Sequence, residues 1–283
     1  MVAWPNSLIR EIAERRVVIF VGAGISKAAH PALPTWPDLL RRLAALLSKA
    51  KDKTIVERLI RKDHMLDAAQ IILDGSPKAD IGASIREIFQ VRPTPYHVIY
   101  ENILSMDPKT IVTTNYDEFI EKNFEHFSGG KSVHNVCKPK SSTLINDLRS
   151  PNRSIVKMHG CVTEATNVVI DRTSYFLAKR ENQGLFQTLS ALMTVNTVLF
   201  IGYSISDPDI QLILENINLY SCSEHPHYAL MEKFEHAAIR HAVAKTYNIE
   251  FIEYPKGQHA SAVDGIAELK GRVIDLRAAR GIV

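Results

Sequence analysis

Four short motifs place small or hydrogen-bonding residues directly after apolar, β-branched runs of the sequence. The first motif, Gly22-Ala23-Gly24-Ile25-Ser26, follows the run 17–21, and its glycines let the backbone turn tightly. Backbone amides at such a turn can cradle a phosphate. Lys27 stands where a dinucleotide fingerprint requires a third glycine and where a P-loop requires a glycine before its lysine. A tight turn that binds no ligand therefore stays open as an alternative.

The other three motifs supply side chains suited to orienting a sugar and moving a proton. They are Thr114-Asn115-Tyr116-Asp117, His159-Gly160 and Gly202-Tyr203-Ser204-Ile205-Ser206-Asp207-Pro208-Asp209. An asparagine offers both a donor and an acceptor, and a histidine titrates near neutrality. One histidine after a strand is often structural, and one Asn or Asp before a helix is often an N-cap. Polar groups that follow four separate runs instead indicate a ligand site.

The elements that must position these motifs alternate between strands and helices. Amphipathic patterns that predict helices include 116–126, 207–220 and 233–246. The apolar runs that predict strands are 17–21, 110–113, 155–158, 197–201, 227–231 and 249–254. This order predicts an α/β fold with a doubly wound, Rossmann-like parallel sheet. The ligand crevice of such a sheet lies at the carboxyl ends of its strands.

About 85 residues between the first two strands show helical spacing and almost no strand signal. That length exceeds a simple crossover. We therefore predict a single domain over residues 1–283 that carries an inserted helical module at about 36–106. The stretch 128–152, rich in Ser, Gly, Lys and Pro, is predicted to be an exposed loop, and one more helix is predicted near 259–275.

Composition narrows the function classes. The chain has 283 residues, of which 46% are hydrophobic and 23% charged, as in an ordinary globular protein. A formal charge of +3 argues against direct nucleic-acid binding. Residues 41–62 hold eight basic and two acidic side chains, which fits either a solvated helical face or docking to an acidic partner or nucleic acid.

The three cysteines, Cys137, Cys161 and Cys222, are odd in number and widely spaced. They form neither a disulfide framework nor a Cys-x-x-Cys zinc clamp, so we expect reduced thiols. The sequence shows neither a signal-peptide pattern nor a long apolar span, and we expect a cytoplasmic protein with no membrane association.

Taken together, the four motifs resemble the sirtuin-like (Sir2-like) NADase domain family of prokaryotic anti-phage defence systems. The resemblance covers about residues 10–255 and includes the segments 113–117 and 157–160. Three features differ from sirtuin deacylases: the zinc clamps are missing, Pro34-Thr35-Trp36-Pro37-Asp38 replaces an Asp-Phe-Arg segment, and Tyr116 stands where an aliphatic residue is usual. The resemblance therefore implies a sirtuin-like domain with no zinc module.

The resemblance also implies roles for individual residues around NAD+, which would be the substrate, with no metal. Asn115 would orient the nicotinamide ribose and the attacking water, Asp117 would hold the carboxamide, and His159 would be the general base. The remaining NAD+-binding residues would be Gly22, Ala23, Gly24 and Ser26 at the diphosphate and ribose, Thr114 beside Asn115, and Gly202, Ser204 and Asp207 on the adenosine side.

The implied activity is hydrolysis of NAD+ to nicotinamide and ADP-ribose, as the gated effector of an abortive-infection system. An ungated enzyme would deplete its own cell, and we expect no separate sensor domain within these 283 residues. We therefore expect a homo-oligomer and a separate activating companion such as a HerA-type ATPase, an Argonaute or a nucleotide-generating protein. Two alternatives stay open: a catalytically silent sensor of NAD or ADP-ribose, and a serine α/β-hydrolase that uses Ser204, Asp209 and His259.

Overall fold

Seven parallel strands form one sheet in the computed structural model, which describes residues 2–131, 134–139, 143–221 and 224–282. The sheet order is β3-β4-β2-β1-β5-β6-β7, and every neighbouring pair is parallel. The strands are β1 (Val17–Val21), β2 (Thr110–Thr113), β3 (His134–Cys137), β4 (Arg153–Lys157), β5 (Thr197–Ile201), β6 (His227–Glu232) and β7 (Ile249–Tyr254).

Helices cover both faces of the sheet. Those before β2 are α1 (Asn6–Ala13), α2 (Ala23–Ala29), α3 (Trp36–Ala44), α4 (Ala50–Arg61), α5 (Met65–Asp74), α6 (Lys78–Phe89) and α7 (Val98–Ser105). Those after β2 are α8 (Phe119–Phe127), α9 (Leu144–Arg149), α10 (Arg172–Glu181), α11 (Gln183–Val195), α12 (Pro208–Ser221), α13 (Ala237–Tyr247) and α14 (His259–Arg280). A short 3-10 segment, Val162–Asn167, follows β4.

The strand order reverses at the central strand β1. All five of its residues are buried, as the continuous β-branched run predicts for a strand covered on both faces. The chain leaves β1 toward β2 and β4 on one side, and later returns to β5, β6 and β7 on the other. This reversal is a topological switch point, the place where ligands bind in open α/β sheets. The predicted fold class is confirmed.

Two apolar clusters fill the layers above and below the sheet. One joins α1, α7 and α14 to one sheet face through residues such as Leu8, Tyr100 and Leu269. The other joins α11 and α12 to the opposite face through residues such as Leu189, Leu214 and, on β7, Phe251. Alternate residues of β1 enter the two clusters, because successive side chains of a strand point to opposite faces.

The helices between β1 and β2 do not all pack in the same place. Helices α3 to α6 build a third apolar cluster around Leu40, Ile72 and Ile85, and it extends to Val168 and Ile170 after β4. Helix α7 instead packs into the cluster on the sheet. The inserted module at 36–106 stays a prediction. Within the basic run 41–62, both Arg41 and Arg61 pair with Glu57.

The prediction of an exposed loop over 128–152 is wrong. This stretch contains β3, which pairs with β4 at the edge of the sheet, and the helix α9. Three of the four β3 residues are not fully buried, so the segment lacks the apolar run that marked the other strands. An edge strand of this kind resembles a loop in sequence. Residues 132–133 and 140–142 lie outside the described part.

Two of the three cysteines can be located. Cys137 at the end of β3 and Cys161 after β4 are both buried and unpaired, and Cys222 lies outside the described residues. Burial, with a contribution from Asp147, raises the pKa of Cys137 to about 12. Among the described helices, none is long and apolar enough to span a membrane.

Candidate functional site

The register of the central strands brings the four motifs to one edge of the sheet. Val21 pairs with both Thr113 and Ile201, and Thr113 pairs with Lys157. Asn115 and His159 are therefore each two residues past a matched pair on neighbouring strands. The first and fourth motifs start directly after Val21 and Ile201. All four loops therefore begin at the carboxyl edge of the sheet, around the point where the strand order reverses.

The first and fourth motifs pack against each other through their backbones. Gly22 donates to the Ile201 carbonyl and Gly24 to the Gly202 carbonyl, both at 2.9 Å. A Cβ on Gly22 would lie 2.3 Å from the Gly202 oxygen, and one on Gly202 would lie 2.6 Å from the Ile25 nitrogen. Gly202 also has a positive φ of 60°. The contact between the loops therefore requires these glycines even without a ligand, and it already uses two of the backbone amides.

Gly22→Ala is expected to destabilise the protein by at least about 1–3 kcal/mol, because the added methyl group collides with backbone rather than with a movable side chain. For a chain of this length that corresponds to a fall of about 2–5 °C in melting temperature. Gly271→Ala is the matched control: Gly271 lies inside α14 with open space around it, so alanine should stabilise by about 0.5–1 kcal/mol. Equal melting temperatures for Gly22→Ala and wild type would contradict the packing argument.

Ser26 and Asn115 connect the first two motifs. Asn115 Nδ2 donates to Ser26 Oγ at 3.0 Å, and the same serine hydroxyl lies 3.1 Å from the hydroxyl of Tyr100 on α7. Thr113 Oγ1 donates to the Val21 carbonyl and accepts from the Asn115 amide, which fixes the loop. The Asn115 side-chain oxygen makes no hydrogen bond to a described residue. It is an acceptor held in place at the sheet edge.

Asp117, at the end of the second motif, is also buried. Its Oδ1 accepts from the Phe119 amide at 3.0 Å, at the start of α8. Burial raises the pKa of Asp117, and the neighbouring Lys157 offsets part of that effect. Lys157 is itself buried: its ammonium donates to the Asp117 carbonyl and lies 2.9 Å from Glu121 Oε1. The loop of the second motif is therefore anchored by Lys157, which forms a buried ion pair with Glu121.

The third and fourth motifs meet through His159 and Asp207, which are both buried. His159 Nε2 lies 3.3 Å from Asp207 Oδ2, and Tyr175 on α10 donates to the same oxygen at 2.7 Å. The Nε2 contact has the distance of an ion pair without the angles of a hydrogen bond, so this nitrogen has no hydrogen-bond partner among described residues. Burial lowers the pKa of His159, although Asp207 and Asp209 act in the opposite direction.

Asp209 adds a second carboxylate beside this pair. Its Oδ1 lies 2.5 Å from the Lys179 ammonium, and its pKa is raised by burial and lowered in part by that lysine. One ligand atom each from His159, Asp207 and Asp209 lies within 4.8 Å of the others, a spacing that could hold a cation. The Lys179 ammonium already neutralises the Asp209 carboxylate, so this group of side chains does not require a cation for that purpose. The expectation of a metal-free site stays a prediction.

The remaining predicted residues lie nearer to solvent. Ala23 and Gly24 are exposed and Thr114 is half-buried. Ser204 is also exposed, and its hydroxyl lies 2.7 Å from that of Ser206. The partners that an α/β-hydrolase would require are elsewhere: Asp209 pairs with Lys179, and His259 Nε2 lies 3.5 Å from Glu232. Among the described contacts, Ser204 has no catalytic triad.

Three residues at the site were not predicted from the sequence. They are Tyr100, Tyr175 and Lys179. Tyr100 lies in the long stretch before β2, for which the sequence indicated helical spacing and no site residue. Tyr175 and Lys179 lie on α10, which begins with a capping box of Asp171 and Ser174. That capping signal predicts where α10 begins but not which of its side chains reach the sheet edge.

Comparison with protein families gives one clear match. A family described as the SIR2-like domain matches residues 109–252, about half of the chain. The matched region begins just before β2 and contains the second, third and fourth motifs.

Several curated proteins are similar over most of the chain. NAD(+) hydrolase ThsA of Acinetobacter baumannii (strain 532279) is 26% identical over 86% of this chain and 48% of its own length. NAD(+) hydrolase ThsA of Cytobacillus dafuensis is 27% identical over 83% of the chain and 45% of its own length. Defense-associated sirtuin 2 of Bacillus subtilis is 26% identical over 73% of the chain and 20% of its own length. The chain thus spans just under half of these two hydrolases and a fifth of the sirtuin.

Proposed function

The chain belongs to the SIR2-like domain family, and from this premise we propose that it hydrolyses NAD+ to nicotinamide and ADP-ribose. The names of similar proteins support an enzyme that cleaves NAD+ at the level of the family. The proposal for this chain depends on its own residues at the sheet edge.

The observation that carries the proposal is the geometry of Asn115. Its side-chain nitrogen, Nδ2, donates to Ser26 Oγ of the first motif, while its side-chain oxygen has no hydrogen-bond partner among the described residues. A fixed acceptor at the switch point of the sheet suits a ribose hydroxyl or a water molecule. His159 follows β4, the strand next to the one that precedes Asn115, and it supplies a neutral imidazole because burial lowers its pKa.

The reaction needs orientation more than acid catalysis. The bond between C1′ of the ribose and the pyridinium nitrogen breaks, and its electron pair returns to nicotinamide, which leaves as a neutral molecule. A water oxygen bonds to C1′, and His159 takes one proton from that water and passes it to solvent. Asn115 orients the ribose and water, and Asp117 holds the carboxamide. Alignment and exclusion of bulk water supply most of the rate enhancement.

Asn115→Ala is expected to lower the rate of nicotinamide release by at least about tenfold, because the ribose and water lose their fixed partner. Nicotinamide and ADP-ribose are quantified by chromatography for wild type and variant. Asn218→Ala is the matched control, since the hydrogen bonds that Asn218 on α12 makes to described residues go to the carbonyls of Lys245 and Thr246, away from the sheet-edge motifs. Equal release by Asn115→Ala and wild type would contradict the proposed role.

In the cell this activity would serve anti-phage defence, and the B. subtilis relative, which is named as associated with defence, supports the defence role. Free NAD+ turnover would harm the host, so the activity would be gated by a separate companion protein and by homo-oligomer formation. Burial of Ser26, Asn115, Asp117 and His159 fits a site that is closed at rest. A purified chain that is fully active as a monomer would contradict the gating proposal.

A sensor that binds NAD+ or ADP-ribose without cleaving it is the second candidate. Burial of the proposed catalytic side chains is the observation that favours it, because a permanently closed site could not turn over. Tight NAD+ binding without nicotinamide release, with and without the companion protein, would support the sensor and contradict the hydrolase.

A further inference from the structure

The environment of His159 Nε2 indicates which ring nitrogen carries the proton. Nε2 is enclosed, and the nearest charged atom to it is Asp207 Oδ2 at 3.3 Å. An unprotonated Nε2 would place a partial negative charge 3.3 Å from the carboxylate oxygen, which is repulsive even though the contact lacks the angles of a hydrogen bond. A proton on Nε2 replaces that repulsion with attraction. Nδ1 makes no hydrogen bond to a described residue, so nothing comparable holds a proton there.

Asp207 is itself held rigidly. Its Oδ1 accepts from the amides of Asp209 and Ile210 at 2.9 and 3.3 Å, as an N-cap at the start of α12. Its Oδ2 accepts from the Tyr175 hydroxyl. The carboxylate therefore has one oxygen committed to the helix and the other shared between Tyr175 and His159. The other charged groups around the imidazole are Asp209 and, beyond it, Lys179.

We propose that Asp207 is a positioning residue for His159: it keeps the imidazole proton on Nε2 and leaves Nδ1 as the nitrogen that accepts a proton. The catalytic part of this inference rests on the proposed NAD+ hydrolysis. Tyr175 contributes by fixing Oδ2 against Nε2. A carboxylate that sets the tautomer of a histidine base is a general arrangement, and its loss is costly because the wrong nitrogen then carries the proton.

Asp207→Asn separates this role from a structural one. The side-chain oxygen of asparagine must still accept from the amides of Asp209 and Ile210, because an NH2 group in that place would face two donors. The NH2 group then takes the place of Oδ2 beside Nε2, where its positive hydrogens favour the tautomer with the proton on Nδ1. Asp171→Asn is the matched control, since Asp171 is also a buried N-cap, at α10, and accepts from Ser174.

The first measurement is the ¹⁵N spectrum of the full chain labelled at histidine, with the His159 signals assigned by their loss in His159→Gln. We expect the proton on Nε2 in wild type and in Asp171→Asn, and on Nδ1 in Asp207→Asn. A proton on Nδ1 in wild type, or the same tautomer in wild type and Asp207→Asn, would overturn the proposal. If Asp207→Asn does not fold, the wild-type spectrum decides.

The second measurement is nicotinamide release under the conditions in which wild type is active. Asp207→Asn should lose about 10²–10⁴-fold in kcat with little change in KM, whereas Asp171→Asn should match wild type. Wild-type turnover in Asp207→Asn would overturn the positioning role. The spectrum does not depend on activity, so a wild type with the expected tautomer and no nicotinamide release would refute only the proposed function.

Discussion

His159→Gln is expected to lower kcat for nicotinamide release by about 10²–10⁴-fold, the usual contribution of a positioned general base. Glutamine preserves much of the side-chain volume and its polarity, but it cannot take a proton from water. The affinity for NAD+ should change little, because the base acts only as the water attacks C1′. Steady-state kinetics and calorimetric titration with NAD+ measure the two effects separately.

His227 provides the control for this prediction. It is the other buried histidine among the described residues, and its Nδ1 accepts from the Val198 amide at 3.1 Å. Burial lowers its pKa to about 4, so it is neutral and satisfied as a structural group. His227→Gln should lower the melting temperature while each folded molecule keeps its activity. An equal loss of turnover in both variants would indicate a general effect of removing a buried histidine, and would contradict the role of His159.

Lys157→Met is expected to destabilise the protein by about 3–5 kcal/mol, or about 5–8 °C in melting temperature. The change leaves the Glu121 carboxylate at a buried position without its ion-pair partner. Burial alone would lower the pKa of Lys157, but Glu121 and the neighbouring Cys161 and Asp117 outweigh it and raise the pKa. The lysine is therefore charged at neutral pH. Thermal denaturation followed by circular dichroism measures the effect.

The double variant Lys157→Met with Glu121→Leu tests the cause. Removing both charges leaves no uncompensated carboxylate, and a buried ion pair is often replaced by apolar residues at little cost. The double variant should therefore regain most of the lost stability. It should still have reduced turnover, because the Asp117 carbonyl has lost the donor that anchors its loop. Equal melting temperatures for wild type and Lys157→Met would contradict the account.

Much of the fold could be predicted because its central strands are buried on both faces. Burial on two faces selects continuous β-branched runs such as those of β1 and β5, which are visible in sequence. The same rule fails at β3, an edge strand with a single neighbour and one fully buried residue, Cys137. The residue types of β3 reflect its partial exposure to solvent, and they do not reveal that its backbone pairs with β4.

The location of the site could be predicted from the sequence more readily than the contacts between its side chains. Parallel strands carry whatever follows them to one edge, so four motifs after four runs had to converge. Which side chains touch depends on the course of the loops. The chain between β5 and α12 passes through positive φ at Gly202 and Ile205, and the start of α12 places Asp207 against His159. Spacing alone does not show such a path.

The contacts also change how the glycines are understood. The first motif indicated phosphate binding, yet Gly22 and Gly24 are both required by the approach of Gly202. The resemblance assigned Asp207 to the adenosine side, whereas the structure places its carboxylate against the proposed base. In both cases a residue selected for a ligand has a protein partner that no sequence pattern displays.

The most direct test of the central claim is the product balance of the purified chain with NAD+, alone and with the product of the neighbouring gene. We predict nicotinamide and ADP-ribose in equal amounts, with one ¹⁸O atom in ADP-ribose when the reaction runs in H₂¹⁸O, and loss of both products in His159→Gln. NAD+ that binds to wild type and is recovered intact under both conditions would contradict the claim that this chain hydrolyses it.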